Sequence, residues 1–121
     1  QALLSGSQKH DVAQRIKKLI EEDKFFLNPE LSLDHLATEM HIHKNYISFV
    51  INDVFNMNFY NFVNRYRIEE AKKMLTDASF DNLSIEGIAT SCGYKSRNVF
   101  YPVFKKFEGV TPLEYKNKTK N

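Results

Sequence analysis

Apolar residues along this chain recur at steps of three and four, and no stretch alternates cleanly with period two. That pattern predicts helices without strands, an all-α fold. It is clearest near the C-terminal end. Ile85, Ile88 and Ala89 lie on one face of a short helix, with Ser84 placed to cap its first turn. Gly93 follows where that helix should stop, because glycine enters the left-handed region without a Cβ clash. Ser96 can cap a second helix, whose apolar face is Phe100, Val103, Phe104 and Phe107. Two short helices around a glycine-bearing turn outline a helix-turn-helix.

The pattern occurs twice. Ser32-Leu33-x-x-Leu36-Ala37-Thr38 matches Ser84-Ile85-x-x-Ile88-Ala89-Thr90 at an offset of 52. Ile47, Val50, Ile51 and Val54 then match Phe100, Val103, Phe104 and Phe107 at an offset of 53, which Phe62 and Tyr115 keep. The second turn therefore holds one extra residue, and the chain is read as an internal repeat. His41 stands in the first turn where Gly93 stands in the second. A histidine there must take a positive φ or reshape the turn.

The remaining elements follow from caps and breakers. Residues 1–10 show no strong period and read as a linker. Asp11 can cap a first helix that buries Val12, Ile16, Leu19 and Ile20 and ends near Lys24, before Asn28-Pro29. The first motif spans about Ser32–Met40 and Lys44–Phe55. Asn58 can cap a helix to Leu75, with Phe59, Phe62, Val63, Tyr66, Ala71 and Met74 at three- and four-residue steps. Thr76–Leu83 is polar and reads as a loop. Thr111-Pro112-Leu113-Glu114 combines a capping box with proline at the first helical position, which starts a short last helix. The expected division is a first lobe over 11–57, a connector over 58–75, a second lobe over 76–118 and a tail over 119–121.

The residues carrying this repeat resemble the DNA-binding domain of the AraC/XylS family of bacterial transcription regulators. In the first half they are Leu36-Ala37, Tyr46-Ile47-Ser48, Phe59, Phe62, Arg67-Ile68-Glu69-Glu70-Ala71-Lys72 and Leu75. In the second they are Ile85, Ile88-Ala89, Gly93-Tyr94, Ser96, Phe100, Phe104-Lys105-Lys106-Phe107, Gly109-Val110-Thr111-Pro112 and Tyr115. The match runs from about Leu31 to Lys118. It implies two helix-turn-helix lobes joined by a rigid connector helix, with a recognition helix of each lobe in the major groove of operator or promoter DNA. It also implies RNA polymerase as a further partner and a sensing or dimerising region upstream of Gln1.

Composition narrows the picture. The net charge of +2 says little, but residues 1–93 hold ten basic and thirteen acidic residues, whereas 94–121 hold seven and two. The basic end coincides with the second recognition helix and its sequel, as a phosphate-facing surface would. No run approaches the ~20 apolar residues of a membrane span, and nothing resembles a signal peptide. The single cysteine, Cys92, fits a reducing cytoplasm and reads as a small packing residue.

Base-reading side chains must lie opposite the buried stripe of a recognition helix. In the first motif these are Asn45, Ser48, Phe49 and Asn52, with Lys44 at the N-terminus. Asn45 and Asn52 can pair with adenine, and Phe49 either packs on a thymine methyl or meets a protein surface. Family members often carry arginine at the Phe49 position. In the second motif the set is Ser96, Arg97, Asn98, Tyr101, Lys105 and Lys106. Pro102 stands where the family commonly has arginine. Proline inside a helix costs ~3 kcal/mol, so the helix is expected to begin near Tyr101 or to kink. Lys105, Lys106 and the helix N-terminus are then expected to hold phosphates, leaving most base reading to the first motif. Arg67 is expected in a structural ion pair beside Glu69 and Glu70.

No nucleophile elbow, glycine-rich phosphate loop or zinc spacing is present, so neither an enzyme nor a metal site is expected, nor any cofactor or small-molecule site. The serious alternative is a degenerate helix-turn-helix that docks or dimerises with protein.

Overall fold

The computed structural model describes residues 6–119. Two compact units emerge, parting between Val63 and Asn64, with Leu27–Pro29 belonging to the second. The described residues contain seven α-helices and no strand. The expectations for residues 1–5 and for the tail beyond Thr119 lie outside the described residues.

In the first unit, α1 (Gly6–Lys17) widens into a π-helical turn over Lys18–Glu22, closed by the Asp23 amide donating to the Lys18 carbonyl at 2.9 Å. Among the described residues the helix already runs at Gly6, ahead of the expected cap Asp11, so residues 6–10 are helical. In this stretch the Lys9 ammonium pairs with Asp53 of α3, at 2.6 Å. α2 (Leu33–Met40) begins at its expected cap, the Ser32 hydroxyl oxygen accepting from the His35 amide at 3.1 Å. α3 (Lys44–Phe55) is capped by His43, whose Nδ1 accepts from the Asn45 amide at 3.0 Å. His41 takes the left-handed conformation, φ 57°, that Gly93 takes in the second repeat with φ 100°. A helix end stopped there lets the chain reverse within three residues. α1 and α2 both pack on α3, burying Ile16, Ile20, Leu36, Ile47, Val50 and Ile51 completely. Each such side chain contributes about 1.5–3 kcal/mol by leaving water.

α4 (Phe59–Thr76) is the connector, capped by Asn58 Oδ1, which accepts from the Asn61 amide at 2.8 Å. Its 18 residues make about 27 Å of helix at 1.5 Å per residue. The first turn belongs to the first unit and the rest to the second.

In the second unit, a 3₁₀ turn over Ala78–Phe80 interrupts the expected loop, capped by Asp77. α5 (Ile85–Ser91) starts at Ser84, whose hydroxyl oxygen accepts from the Gly87 amide at 3.0 Å. α6 (Arg97–Glu108) starts at Ser96 and stops at Gly109, φ 81°. α7 (Pro112–Thr119) carries the expected capping box: the Thr111 amide donates to Glu114 Oε1 at 2.9 Å and the Glu114 amide to Thr111 Oγ1 at 3.1 Å. The core joins Ile68, Ala71 and Leu75 of α4 to Ile88 and Ala89 of α5 and to Phe100 and Phe104 of α6. Cys92 is buried in it, 3.7 Å from the Met74 sulfur, and burial pushes its thiol up to about 12.

Pro102 lies inside α6 without moving its start. Of the two expected outcomes, a start near Tyr101 is therefore incorrect. A helix beginning there would free Phe100 from the core, yet Phe100 and Phe104 are both fully buried. Burial of Phe100, at about 1.5–3 kcal/mol, offsets much of the roughly 3 kcal/mol that one interior proline costs.

Candidate nucleic-acid interface

In the first unit the buried stripe of α3 leaves an opposite face that carries all five residues expected there. Lys44, Asn45 and Asn52 are exposed, Ser48 is half-buried, and Phe49 is 50% exposed. The face is ordered by local contacts. Asn52 Nδ2 donates to the Ser48 carbonyl one turn back at 2.9 Å. Lys44 pairs with Asp34 of α2 at 3.2 Å. The Phe49 ring lies 5.8 Å from Tyr46 and 5.9 Å from the Lys9 ammonium. A polar amide pair, a hydroxyl and an apolar ring side by side can offer donors, acceptors and a methyl contact to base edges.

In the second unit Arg97, Asn98, Lys105 and Lys106 are exposed along α6, and Tyr101 is half-buried. The Arg97 guanidinium lies 4.9 Å from the Tyr101 ring centre. Ser96, expected among the contacts, serves α6 as its N-cap, accepting from the Val99 amide at 3.4 Å. The N-terminus of α6 does not fit the expected phosphate clamp. Glu86 of α5 reaches it, Oε1 accepting from the Arg97 amide at 3.0 Å, and a carboxylate there disfavours a second anion. Lys105 and Lys106 remain as exposed cations.

Arg67 has a structural place, but the visible contacts differ from the expected pairing. Its guanidinium donates to the Asn28 carbonyl at 2.9 Å and lies 5.4 Å from the Tyr94 ring, while Glu69 pairs with Lys72. Beneath it the Tyr94 hydroxyl donates to Asn64 Oδ1 at 2.6 Å, both residues being buried.

Three residues escaped the sequence reading. Asp34 and Glu86 are repeat-equivalent, each two residues after its cap serine, and each engages the first residue of its recognition helix. The 52-residue offset held that signal. Lys9 had none, because its partner lies 44 residues away in sequence.

Proteins of known family share this fold. A family model described as a helix-turn-helix domain matches residues 36–118. The chain belongs to the AraC/XylS family. An uncharacterized HTH-type transcriptional regulator, YtdP of Bacillus subtilis, is 32% identical over 92 residues, which are 76% of this chain and 12% of that protein. The regulatory protein PocR of Salmonella typhimurium is 27% identical over 92% of this chain and 35% of its own length. The chain thus spans well under half of these relatives. Among solved structures, the C-terminal domain of AraT, a response regulator from Geobacillus stearothermophilus, superposes with a TM-score of 0.81 at 28% identity, covering 88% of this chain and 84% of that one. The DNA-binding domain of AdpA, solved with a target DNA, has the same fold at 15% identity, with a TM-score of 0.76 over 90% and 92% of the two chains. The AraC/XylS family is one of transcription regulators rather than enzymes.

Proposed function

We propose that this domain binds double-stranded DNA in a sequence-dependent manner as part of a bacterial transcription regulator. The observation that carries the reading is the outer face of α3, where Asn45, Ser48, Phe49 and Asn52 stand together opposite the buried Ile47, Val50 and Ile51. In this reading α3 enters the major groove, Asn45 and Asn52 address adenine edges, and Lys44 meets the backbone. The second unit adds phosphate contacts through Lys105 and Lys106, with Arg97, Asn98 and Tyr101 beside them, and contributes less to sequence choice. Pro102 is exposed on α6 where a base-reading side chain would otherwise reach. A cytoplasmic setting, contact with RNA polymerase and a sensing or dimerising region elsewhere in the full-length regulator belong to the same proposal, as the family implies. No helix among the described residues is long and apolar enough to cross a membrane.

The test begins with a site enriched from randomised double-stranded DNA. Asn45→Ala or Ser48→Ala should lose about 1–3 kcal/mol on that site and little on the same site with the contacted base pair changed. Equal loss on both duplexes would show that these residues only position the backbone.

A further inference from the structure

We infer that Lys9, on the first turns of α1, is a positioning residue that fixes Phe49 on the exposed face of α3 and thereby sets the base preference of that face. The inference rests on the DNA-binding role proposed for α3.

Phe49 and Asp53 are one turn apart on α3, so their side chains are neighbours. Lys9 bridges them from a different helix: its ammonium sits 2.6 Å from Asp53 Oδ2 and 5.9 Å from the Phe49 ring centre. A half-exposed phenyl ring on a helix surface has several rotamers open to it. Here Tyr46, one turn before it, and the Lys9 ammonium flank the ring. The Lys9 side chain is about one-third exposed. The hydrogen bond to Asp53 raises the Lys9 pKa above its ordinary value. The ion pair anchors the ammonium, and the ammonium in turn attracts the ring face. Contact with a thymine methyl needs the ring in a fixed place, whereas a ring free to swing gives the same methyl no consistent partner.

The test is a double-mutant cycle on the whole chain with Lys9→Met, which keeps the aliphatic stem, and Phe49→Ala. Binding is read by anisotropy on the duplex enriched from a randomised pool and on variants with each base pair changed, after thermal melting confirms that each protein is folded. Lys9→Met should change the ratio of matched to altered affinity by about two- to fivefold, the scale of an exposed cation–aromatic contact. The change should vanish when Phe49 is already alanine, and Lys9→Arg should restore the ratio. A Lys9→Met effect that is equal on all duplexes and persists in the Phe49→Ala background would make Lys9 a phosphate contact and overturn the inference. No effect on the ratio, or only a lower melting temperature, would overturn it too. If Phe49→Ala alone leaves every preference unchanged, the reading of Phe49 as a base contact fails first and takes the inference with it. If Phe49→Ala changes preference and Lys9→Met does not, only the inference fails.

Discussion

Removing the hydroxyl of Tyr94 should cost the second unit stability out of proportion to the one atom lost. Tyr94 is 4% exposed and Asn64 3%, and the hydroxyl donates to Asn64 Oδ1 at 2.6 Å. Tyr94→Phe leaves the ring in place, including its packing 5.4 Å from Phe100 and beneath Arg67. What remains is an amide oxygen enclosed in the core without that donor. An orphaned buried acceptor costs about 1–3 kcal/mol, which in a domain of this size lowers Tm by about 4–8 °C per kcal/mol. The chain has no tryptophan, so urea unfolding is best followed by helical circular dichroism, with the m-value checked for constancy. A second variant isolates the hydrogen bond. Tyr94→Phe/Asn64→Leu removes both polar groups and should be more stable than Tyr94→Phe alone, because nothing polar is then left unpaired. A loss below about 0.5 kcal/mol for Tyr94→Phe, or a double variant no better than the single, would refute this account of the connection between α4 and the turn before α6.

Other expectations are of the same kind. Lys105→Ala/Lys106→Ala should weaken all DNA sequences alike and make the slope of log affinity against log salt shallower by about 1.8, or 0.9 per phosphate contact; an unchanged slope would remove both lysines from the interface. The Thr111 amide holds the Glu114 carboxyl below the usual carboxylate range. The stabilisation is therefore complete above the ordinary carboxylate pKa and lost as pH falls through the lowered value. The protection of the first α7 amides, measured against intrinsic exchange at each pH, should fall in that acid window, and Glu114→Gln, which can still accept from Thr111, should flatten the dependence; equal pH profiles would contradict it. Because burial pushes the Cys92 thiol up to about 12, an alkylating agent at neutral pH should label it only in urea, and rapid labelling of the folded chain would show that the pocket opens.

The helices legible in the sequence were those that announce themselves locally. Ser32, Asn58, Ser84 and Thr111 each carry a cap followed by an apolar face, and each caps a helix in the structure. Asp11 offered the same local signal, but among the described residues the helix already runs at Gly6, and its Lys9 pairs with Asp53 of α3. Pro102 shows the opposite weighting: its local cost is real, and the burial of Phe100, which needs the helix to start before it, offsets much of that cost. The face of α3 was legible because it is the complement of the buried stripe. Its supports were not, since Lys9, Asp34 and Glu86 act across helices that periodicity treats one at a time.

The most direct measurement is the salt dependence of binding to the duplex enriched from a randomised pool, made beside the same titration on unrelated duplex. The account predicts affinity falling linearly on logarithmic axes with a slope of about −0.9 per phosphate contact on both duplexes, the enriched one staying tighter at every salt concentration. Binding that ignores salt, or that never distinguishes the two duplexes, would contradict a DNA-reading α3 and favour a domain that docks protein instead.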